Sequence, residues 1–352
     1  MTVSVLLLVA IAAALFVGVN IGGSSTGVAF GPATGSGVLS VRLASGLMAL
    51  FVLVGGVTVG TNVVETLGEG FVPPEYFTPV ASIGVLLFIG LGILLGNVLK
   101  VSVSTSETAV VAVAGMGAAL GVLDWRTVGL VAMWWIVSPI LGFWLCAFIG
   151  RYFYDDIVAR LDLESGDVGR VAQLLVIGIG CYMAFSAGAS NVANAVAPLV
   201  GSGQLAMTSG AALGGLAIGA GAFALGPRTM ETVGEDITDL SLEASLIVEV
   251  IAATIITGLS WAGIPASLAI TTTSCVIGLG WGRASRRVPL RAIVNPEGFT
   301  TGNRPTWAED QLDLYDPSTT KRVVATWVAS PTVAGLIAFG AFFLAERFHL
   351  IT

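Results

Sequence analysis

Long apolar stretches, separated by short groups of polar and charged residues, dominate this chain. A helix needs about 20 consecutive apolar residues to cross the hydrocarbon core of a bilayer. The charge-free runs cover residues 1–41, 43–64, 77–99, 108–123, 127–150, 171–227, 250–282 and 323–345. These runs are too long and too uniformly apolar for the alternating strands of a membrane barrel. We therefore predict an all-α polytopic membrane protein.

The composition supports this prediction. Hydrophobic residues make up 55% of the chain and charged residues 11%, with a mean hydropathy of +0.92. Soluble domains carry about 25% charged residues. We interpret the first run as a retained helix, and Cys146, Cys181 and Cys275 as buried packing residues because each lies in an apolar segment. We expect a multi-pass protein of the cell membrane, without a cofactor, a metal site or a nucleic-acid partner.

One polar stretch occurs twice. When residue 22 is aligned with residue 188, an offset of 166, "GGSSTGVAFGPATGSG" (22–37) pairs with "GASNVANAVAPLVGSG" (188–203). Glycine, serine, alanine and proline recur at the same places in both copies. The two copies lie in the charge-free runs 1–41 and 171–227, so both polar stretches have apolar surroundings.

Further matches follow in the same order, which indicates a duplication. They are "ETLGE" (65–69) with "ETVGE" (231–235), "STSETAVVAVAGMG" (104–117) with "SLAITTTSCVIGLG" (267–280), and "WIVSP" (135–139) with "WVASP" (327–331). The offset rises before the last pair, which indicates an insertion. We predict a first transmembrane repeat at 1–150, a central loop at 151–170, and a second repeat at 171–352 with an insertion at about 283–320.

The positions of the basic residues predict the orientation of the repeats. Arginines flank the central loop, and more arginines lie in the insertion. Loops rich in Lys and Arg stay in the cytoplasm. The loop at 118–126, the counterpart of the insertion, is separated from the central loop by one helix, so it lies on the opposite side. The two repeats are therefore expected to be inverted, with both termini outside the cell.

Each repeat has two stretches rich in Gly, Ser and Thr: 22–40 and 104–117, then 188–205 and 267–280. Irregular backbone at membrane depth is tolerated only where it is buried or lines a cavity. We predict broken or re-entrant helices that meet at the membrane midplane, where free N–H groups and polar side chains bind an oxyanion. The glycines would let the backbone approach the ligand. Close helix packing is the alternative for any single stretch.

These motifs resemble those of a known family. "GASNVANAVAPL" (188–199) is similar to the duplicated Gly-Ala-Asn-Asp-x-Ala-Asn-Ala motif of the inorganic phosphate transporter family, often called PiT. "STSE" (104–107) resembles that family's Ser-Thr-Thr-His stretch, and the two "WxxSP" segments also fit. The resemblance implies cation-coupled import of a tetrahedral oxyanion by alternating access, usually by a homodimer.

The departures from the family motif favour its sulfate permease branch. The Asn-Asp pair is replaced by Ser24-Ser25 in the first repeat and by Ser190-Asn191 in the second. Phosphate near neutral pH carries a proton that it can donate to a carboxylate, whereas sulfate carries none. Two like unit charges about 4 Å apart cost about 4 kcal/mol at an effective dielectric constant near 20. Sulfate is therefore favoured, with phosphate as the alternative and an anion channel as a weaker one.

The predicted substrate-binding residues come from both repeats. They are Ser24, Ser25, Ser104, Thr105, Ser106, Ser190, Asn191, Asn194, Ser267 and Thr271. Intramembrane polar residues are the candidates for ion coupling, here Glu107, Asn194 and Glu249. The coupling ion is Na⁺ or H⁺. An enzyme is not expected, because a serine hydrolase would need a base, and the single histidine lies at the C-terminal end.

Overall fold

The computed structural model describes residues 5–99, 103–161, 169–227, 230, 241–286 and 317–348. Within these ranges the regular elements are helices, which confirms the predicted all-α class. They are α1 (Val5–Gly35), α2 (Val41–Thr58), α3 (Gly60–Glu65), α4 (Pro79–Leu99), α5 (Thr105–Ala119), α6 (Trp125–Tyr152), α7 (Tyr154–Leu161), α8 (Arg170–Gly201), α9 (Met207–Ala224), α10 (Leu242–Trp261), α11 (Leu268–Arg286) and α12 (Pro317–Arg347). A short π-helical turn (Thr66–Gly70) and a 3-10 turn (Pro74–Tyr76) precede α4.

In the described part of the chain, eight helices are long and apolar enough to cross a membrane. These are α1, α2, α4, α6, α8, α9, α10 and the part of α12 from Trp327 to Arg347. The multi-pass prediction is therefore confirmed. Cys146, Cys181 and Cys275 are buried and unbridged, as expected of packing residues.

The helices of the two halves pack in matching pairs. Helix α1 packs against α9, and its counterpart α8 packs against α2; in the same way α5 packs against α12, and α11 packs against α6. Helix pairs α1–α4 and α8–α10 also correspond. Each half therefore buries its helices against the other half. The repeat boundaries stay a prediction; residues 231–235 and most of the insertion, 287–316, lie outside the described residues.

Glycines of the duplicated stretch allow α1 and α8 to pack closely on their neighbours. A Cβ atom on Gly22 would collide with the carbonyl of Ile218 on α9, and one on Gly188 would collide with the carbonyl of Val52 on α2. These glycines approach helix backbone. The expectation that glycines of this stretch serve ligand approach is wrong at these two positions, where packing of small residues explains them.

The ends of the duplicated stretch form matching helix C-caps. Gly37 and Gly203 have φ angles of 74° and 72°, the left-handed conformation that glycine adopts at little cost. The N–H of Leu39 donates to the carbonyl of Ala33, and the N–H of Leu205 donates to that of Leu199, both at 3.0 Å. Helices α1 and α8 therefore run through the polar residues at 22–35 and 188–201, and the helix interruptions in the predicted stretches 22–40 and 188–205 lie at the C-terminal ends of those stretches.

The other two polar stretches each begin at a helix N-terminus. Ser104 caps α5, its Oγ accepting from the N–H of Glu107 at 3.4 Å, and Ser267 caps α11, its Oγ accepting from the N–H of Ile270 at 3.3 Å. With 15 residues, α5 is about 22 Å long. A bilayer core is about 30 Å thick, so α5 begins or ends within it. A helix shorter than the bilayer core, as expected of a broken or re-entrant helix, is thus present at α5.

Candidate functional site

A small pocket lies where four helices from both halves converge. Its walls come from α1, from α8, from Val103 just before α5, and from the first turns of α5 and α11. The lining residues are Ser24, Ser25, Val28, Val103, Thr105, Asn191, Ser267, Leu268 and Ala269. Five of the ten residues that the sequence predicts for substrate binding thus share one cavity, namely Ser24, Ser25, Thr105, Asn191 and Ser267.

Two helix N-termini face this pocket. Thr105 opens α5, and Leu268 and Ala269 open α11. The first N–H groups of a helix have no partner within the helix, and the helix dipole adds a partial positive charge there. The serine caps occupy the N–H groups of Glu107 and Ile270, leaving the first two of each helix for a ligand. Such an arrangement favours an anion.

Asn191 on α8 is held by three donors. Its Oδ1 accepts from the hydroxyl of Thr105 at 2.7 Å and of Ser106 at 3.3 Å, and from the amide of Asn194 at 3.2 Å. Its Nδ2 makes no hydrogen bond to any described residue. Because Asn191 lines the pocket and is 4% exposed, this amide N–H₂ is a donor for a ligand.

The serines of α1 differ from each other in their bonding. Ser24 donates to the carbonyl of Ile21 in its own helix at 3.0 Å. Ser25 is 9% exposed, and its hydroxyl has no bonded partner among the described residues. Ser25 therefore has both its proton and its lone pairs available in the pocket.

Three other predicted residues do not line the pocket but make hydrogen bonds that support its wall. Ser104 caps α5, and both Ser106 and Asn194 bond Asn191. All three are fully buried. The Nδ2 of Asn194 also donates to Ser106 at 3.5 Å, while its Oδ1 is buried without a partner.

The side chains of the last two predicted residues neither line the pocket nor bond a side chain that does. Ser190 is buried, and its Oγ donates to the carbonyl of Ala187 in the same helix at 3.4 Å. Thr271 lies one turn into α11 and is buried, with no partner for its Oγ1. The sequence could not separate Ser190 from Asn191, because adjacent residues on a helix point about 100° apart and only the neighbouring helices decide which faces the cavity.

The acidic candidates for ion coupling are also outside the lining. Glu107 lies in the first turn of α5, and Glu249 is buried in the middle of α10 with one carboxylate oxygen, Oε1, unpartnered. Sequence reasoning missed Glu243, which is fully buried in the first turn of α10 with both oxygens unpartnered. Glu243 follows a segment rich in charged residues, and such a position does not predict a buried side chain.

No residue in the described pocket lining is ionisable. The polarity of the cavity comes from hydroxyl groups, an amide and helix N-termini. Neutral donors inside a bundle of membrane helices are suited to hold an anion that is taken out of water. A site of this kind between two halves is typical of membrane transporters.

Comparison with known proteins establishes the family. The model of the "Phosphate transporter family" matches residues 21–166 and 155–297, and the chain belongs to this family of permeases. The sulfate permease CysP of Bacillus subtilis (strain 168) is 32% identical over 288 residues, which is 82% of this chain and 80% of that protein. A protein of Pyrococcus furiosus bearing the name of a phosphate permease is 26% identical over 76% of this chain and 85% of its own length.

A solved structure has the same fold. It is described as "The sodium-dependent phosphate transporter", and it matches with a TM-score of 0.75, covering 98% of this chain and 100% of its own. The sequence identity is 21%, so this likeness concerns the fold. The protein is therefore a multi-pass membrane permease rather than an enzyme, as the sequence predicts.

Proposed function

We propose that this protein is a secondary-active transporter that imports a tetrahedral inorganic oxyanion, with sulfate favoured. The observation that carries the proposal is the convergence of two helix N-termini and neutral donors from both halves on one pocket. The relationship to a sulfate permease, at 32% identity, supports the same substrate class.

In this proposal the anion is bound by Asn191 Nδ2, the hydroxyls of Ser25 and Ser267, and the free N–H groups that begin α5 and α11. Ser267 donates its proton to the ligand because its oxygen already accepts from Ile270. Ser24 and Thr105 complete the wall of the pocket. Ser104, Ser106 and Asn194 hold these groups in position. Ser190 and Thr271 were expected in the site from sequence, and we assign them no direct contact.

Sulfate is favoured because the described lining has no carboxylate. A carboxylate would accept the proton of hydrogen phosphate, but it would repel sulfate by about 4 kcal/mol at about 4 Å. The residues at the two motif positions are Ser25 and Asn191, both neutral. Neutral donors replace the water around a fully deprotonated dianion without that repulsion.

Phosphate is the second candidate substrate. Relatives from Pyrococcus furiosus and Chlamydia pneumoniae bear the names of phosphate permeases, at 26% and 25% identity. Hydroxyl and amide donors can also bind phosphate, so the choice between the two anions depends on the acceptors that the pocket offers.

We further propose cation coupling. The candidate groups are Asn194, with its buried unpartnered Oδ1, and the carboxylates of Glu107 and Glu249. Oxygen atoms suit Na⁺, and carboxylates can also carry H⁺. The name of the structural neighbour, a sodium-dependent transporter, agrees with Na⁺ as the first ion to test.

Transport by alternating access would use the two halves as inverted repeats, 1–150 and 171–352, around a site near the membrane midplane. The matching helix pairs α1–α9 and α8–α2 support this arrangement. The central loop 151–170 and the insertion 283–320 are proposed to be cytoplasmic, and the active unit to be a homodimer in the cell membrane.

Uptake of labelled sulfate and phosphate into proteoliposomes tests the proposal. Imposed Na⁺ and H⁺ gradients, applied separately, should identify the ion that drives accumulation. We expect sulfate uptake under one of these gradients and none in protein-free vesicles. Absence of uptake of both anions under both gradients would refute the proposal.

Counterflow separates a transporter from a channel. A transporter with a closed site should take up labelled sulfate faster when the vesicles are preloaded with unlabelled sulfate, because exchange avoids return of the empty site. A channel needs a continuous path and shows no such stimulation at zero voltage.

A further inference from the structure

A second cavity lies near the candidate site, at the end of the molecule where α6 begins. Its volume is about 380 Å³. Its walls come from the turn that follows α3, from the first turns of α6, and from Ala262, Gly263 and Ile264 between α10 and α11. Glu65 and Glu69 in the wall are exposed, so water reaches this cavity.

One short segment lies between the two cavities. Helices α10 and α11 pack against each other as a hairpin, and residues 262–267, the hairpin tip, join them. Residues 262–264 line the second cavity, whereas Ser267 lines the candidate site. A span of three residues covers about 10 Å at most, and Pro265 and Ala266 within it are buried. The hairpin tip is therefore a thin partition between the candidate site and a water-filled cavity.

Two hydrogen bonds hold the hairpin tip from outside the hairpin. The indole Nε1 of Trp135 on α6 donates to the carbonyl of Pro265 at 2.9 Å. An indole N–H can only donate and a carbonyl oxygen can only accept, so the direction of this bond is fixed. Just before the tip, Nδ2 of Asn62 on α3 donates to the carbonyl of Trp261 at 2.6 Å.

The backbone of the hairpin tip is suited to a change of position. Gly263, with a φ angle of 73°, ends α10, and the N–H groups of Gly263 and Ile264 donate to the carbonyls of Ser260 and Leu259. Residues 264–267 belong to no helix. Such residues can absorb a change of φ and ψ without the loss of helical hydrogen bonds.

We infer that the hairpin tip is a gate between the second cavity and the candidate site, and that Trp135 is a positioning residue that keeps this gate closed. The inference rests on the proposed transport function and names the element that controls entry of the anion. Ser267 and the N-terminus of α11 move with the tip, so opening also removes one wall of the site. Glu65 and Glu69 are exposed, and water and salt weaken their repulsion of an anion.

Thiol labelling in front of the tip and behind it tests the gate. The full chain, with its three cysteines replaced by alanine, is placed in nanodiscs and receives one new cysteine. Ala262→Cys lies in front of the tip at an exposed position, and Leu268→Cys lies behind it, where the native side chain is 6% exposed. N-ethylmaleimide, which is small and uncharged, should label Leu268→Cys more slowly than Ala262→Cys.

Trp135→Phe removes the N–H group and keeps an aromatic ring. Loss of one hydrogen bond should raise the open fraction, and with it the labelling rate of Leu268→Cys, by about 3- to 10-fold. The rate at Ala262→Cys should not change, whereas general loosening of the fold would raise both rates. Trp134→Phe is the matched control, because this neighbouring, half-buried tryptophan makes no side-chain hydrogen bond to a described residue.

Asn62→Ala provides a second test if Trp135→Phe does not fold. It should raise the rate at Leu268→Cys by a smaller factor, because its hydrogen bond is exposed to water. Equal labelling of Leu268→Cys and Ala262→Cys with Trp135 intact would overturn the inference. So would an unchanged rate in the folded Trp135 variant, or in Asn62→Ala if that is the one that folds, and so would an equal rise in Trp134→Phe.

Anion protection separates the gate from the proposed function. Sulfate should slow the labelling of Leu268→Cys and leave that of Ala262→Cys unchanged. If neither sulfate nor phosphate protects Leu268→Cys, the proposed anion site is refuted, while a rise in rate on removal of the Trp135 bond would still support the gate.

Discussion

The two copies of the duplicated stretch are equivalent in packing but not in chemistry. Gly22 and Gly188 meet corresponding carbonyls, of Ile218 and Val52, and both copies end in the same glycine turn. At the polar positions the copies differ. Ser25 has a free hydroxyl in the pocket, whereas its counterpart Asn191 is held by three donors.

This difference shows how a duplicated fold can serve a single site. Packing must be repeated, because each half buries its helices against the other. The candidate ligand site is one pocket lined by both halves, so each copy supplies different groups to it. Asn194, which supports Asn191, is matched by Val28, which forms apolar wall in the first copy.

The largest expected effect on transport comes from a negative charge at Asn191, the residue whose Oδ1 accepts three hydrogen bonds. Asn191→Asp puts a carboxylate beside the anion, at a cost of about 4 kcal/mol for an unprotonated dianion. Sulfate uptake should fall by about 1000-fold, and phosphate uptake should fall less, because phosphate can donate its proton to the carboxylate. Labelled uptake of the two anions measures this, with size-exclusion chromatography as the control for folding. A larger loss of phosphate than of sulfate uptake would overturn the preference.

Removal of the polar groups should affect the second copy more than the first. A hydrogen bond to a charged group contributes about 1.5–3 kcal/mol, so Asn191→Ala should lower uptake by about 100-fold and Ser25→Ala by about tenfold. The Asn191 change is the greater one because it also leaves three donors without their acceptor. Adding Ser190→Ala to Asn191→Ala should cause little further loss. Equal effects at Ser25 and Asn191 would contradict the proposed difference between the copies.

The shared packing can be tested independently of transport. Gly188→Ala and Gly22→Ala force helices apart, and overpacking costs about 1–3 kcal/mol. Both variants should lower the thermal unfolding midpoint in detergent by similar amounts. Gly178→Ala, on the same helix as Gly188 but with nothing near its Cβ, is the matched control and should be neutral or slightly stabilising. A normal midpoint for Gly188→Ala would contradict the close approach.

The smallest expected effect is on stability and concerns Thr108 and its counterpart in the second repeat, Thr271. The Thr108 hydroxyl donates to the carbonyl of Ser104 at 2.8 Å and lies 3.0 Å from Ser330 Oγ, whereas the hydroxyl of its counterpart Thr271 is buried without a partner. Thr108→Val should cost about 1 kcal/mol of stability, and Thr271→Val should cost nothing. Thermal unfolding measures both. A loss of sulfate uptake in Thr271→Val without a loss of stability would show that this hydroxyl binds a ligand or an ion.

Part of the candidate site could be predicted because a serine inside an apolar membrane segment has few roles other than binding a ligand or bonding the backbone. Ser104 and Ser267 were predicted from sequence as substrate-binding residues, and the structure places them as the caps of α5 and α11 beside the pocket. Glycine is less informative, because a membrane helix uses it both for close packing and for irregular backbone. For this reason the sequence did not show that the helix interruptions in 22–40 and 188–205 lie only at the C-terminal ends of those stretches. Nothing in the amino-acid pattern distinguishes a glycine that meets Ile218 from one that meets a ligand.

The amino-acid sequence by itself determined the membrane class, the duplication and the polar character of the site, because apolar runs and repeated motifs are properties of the chain. Only the tertiary structure decided that α1 and α8 run through the polar residues, that Ser25 and Asn191 line the pocket, and that Asn191 bonds Thr105, Ser106 and Asn194. These depend on the rotation of each helix about its axis and on donors from other helices, which packing between distant segments sets.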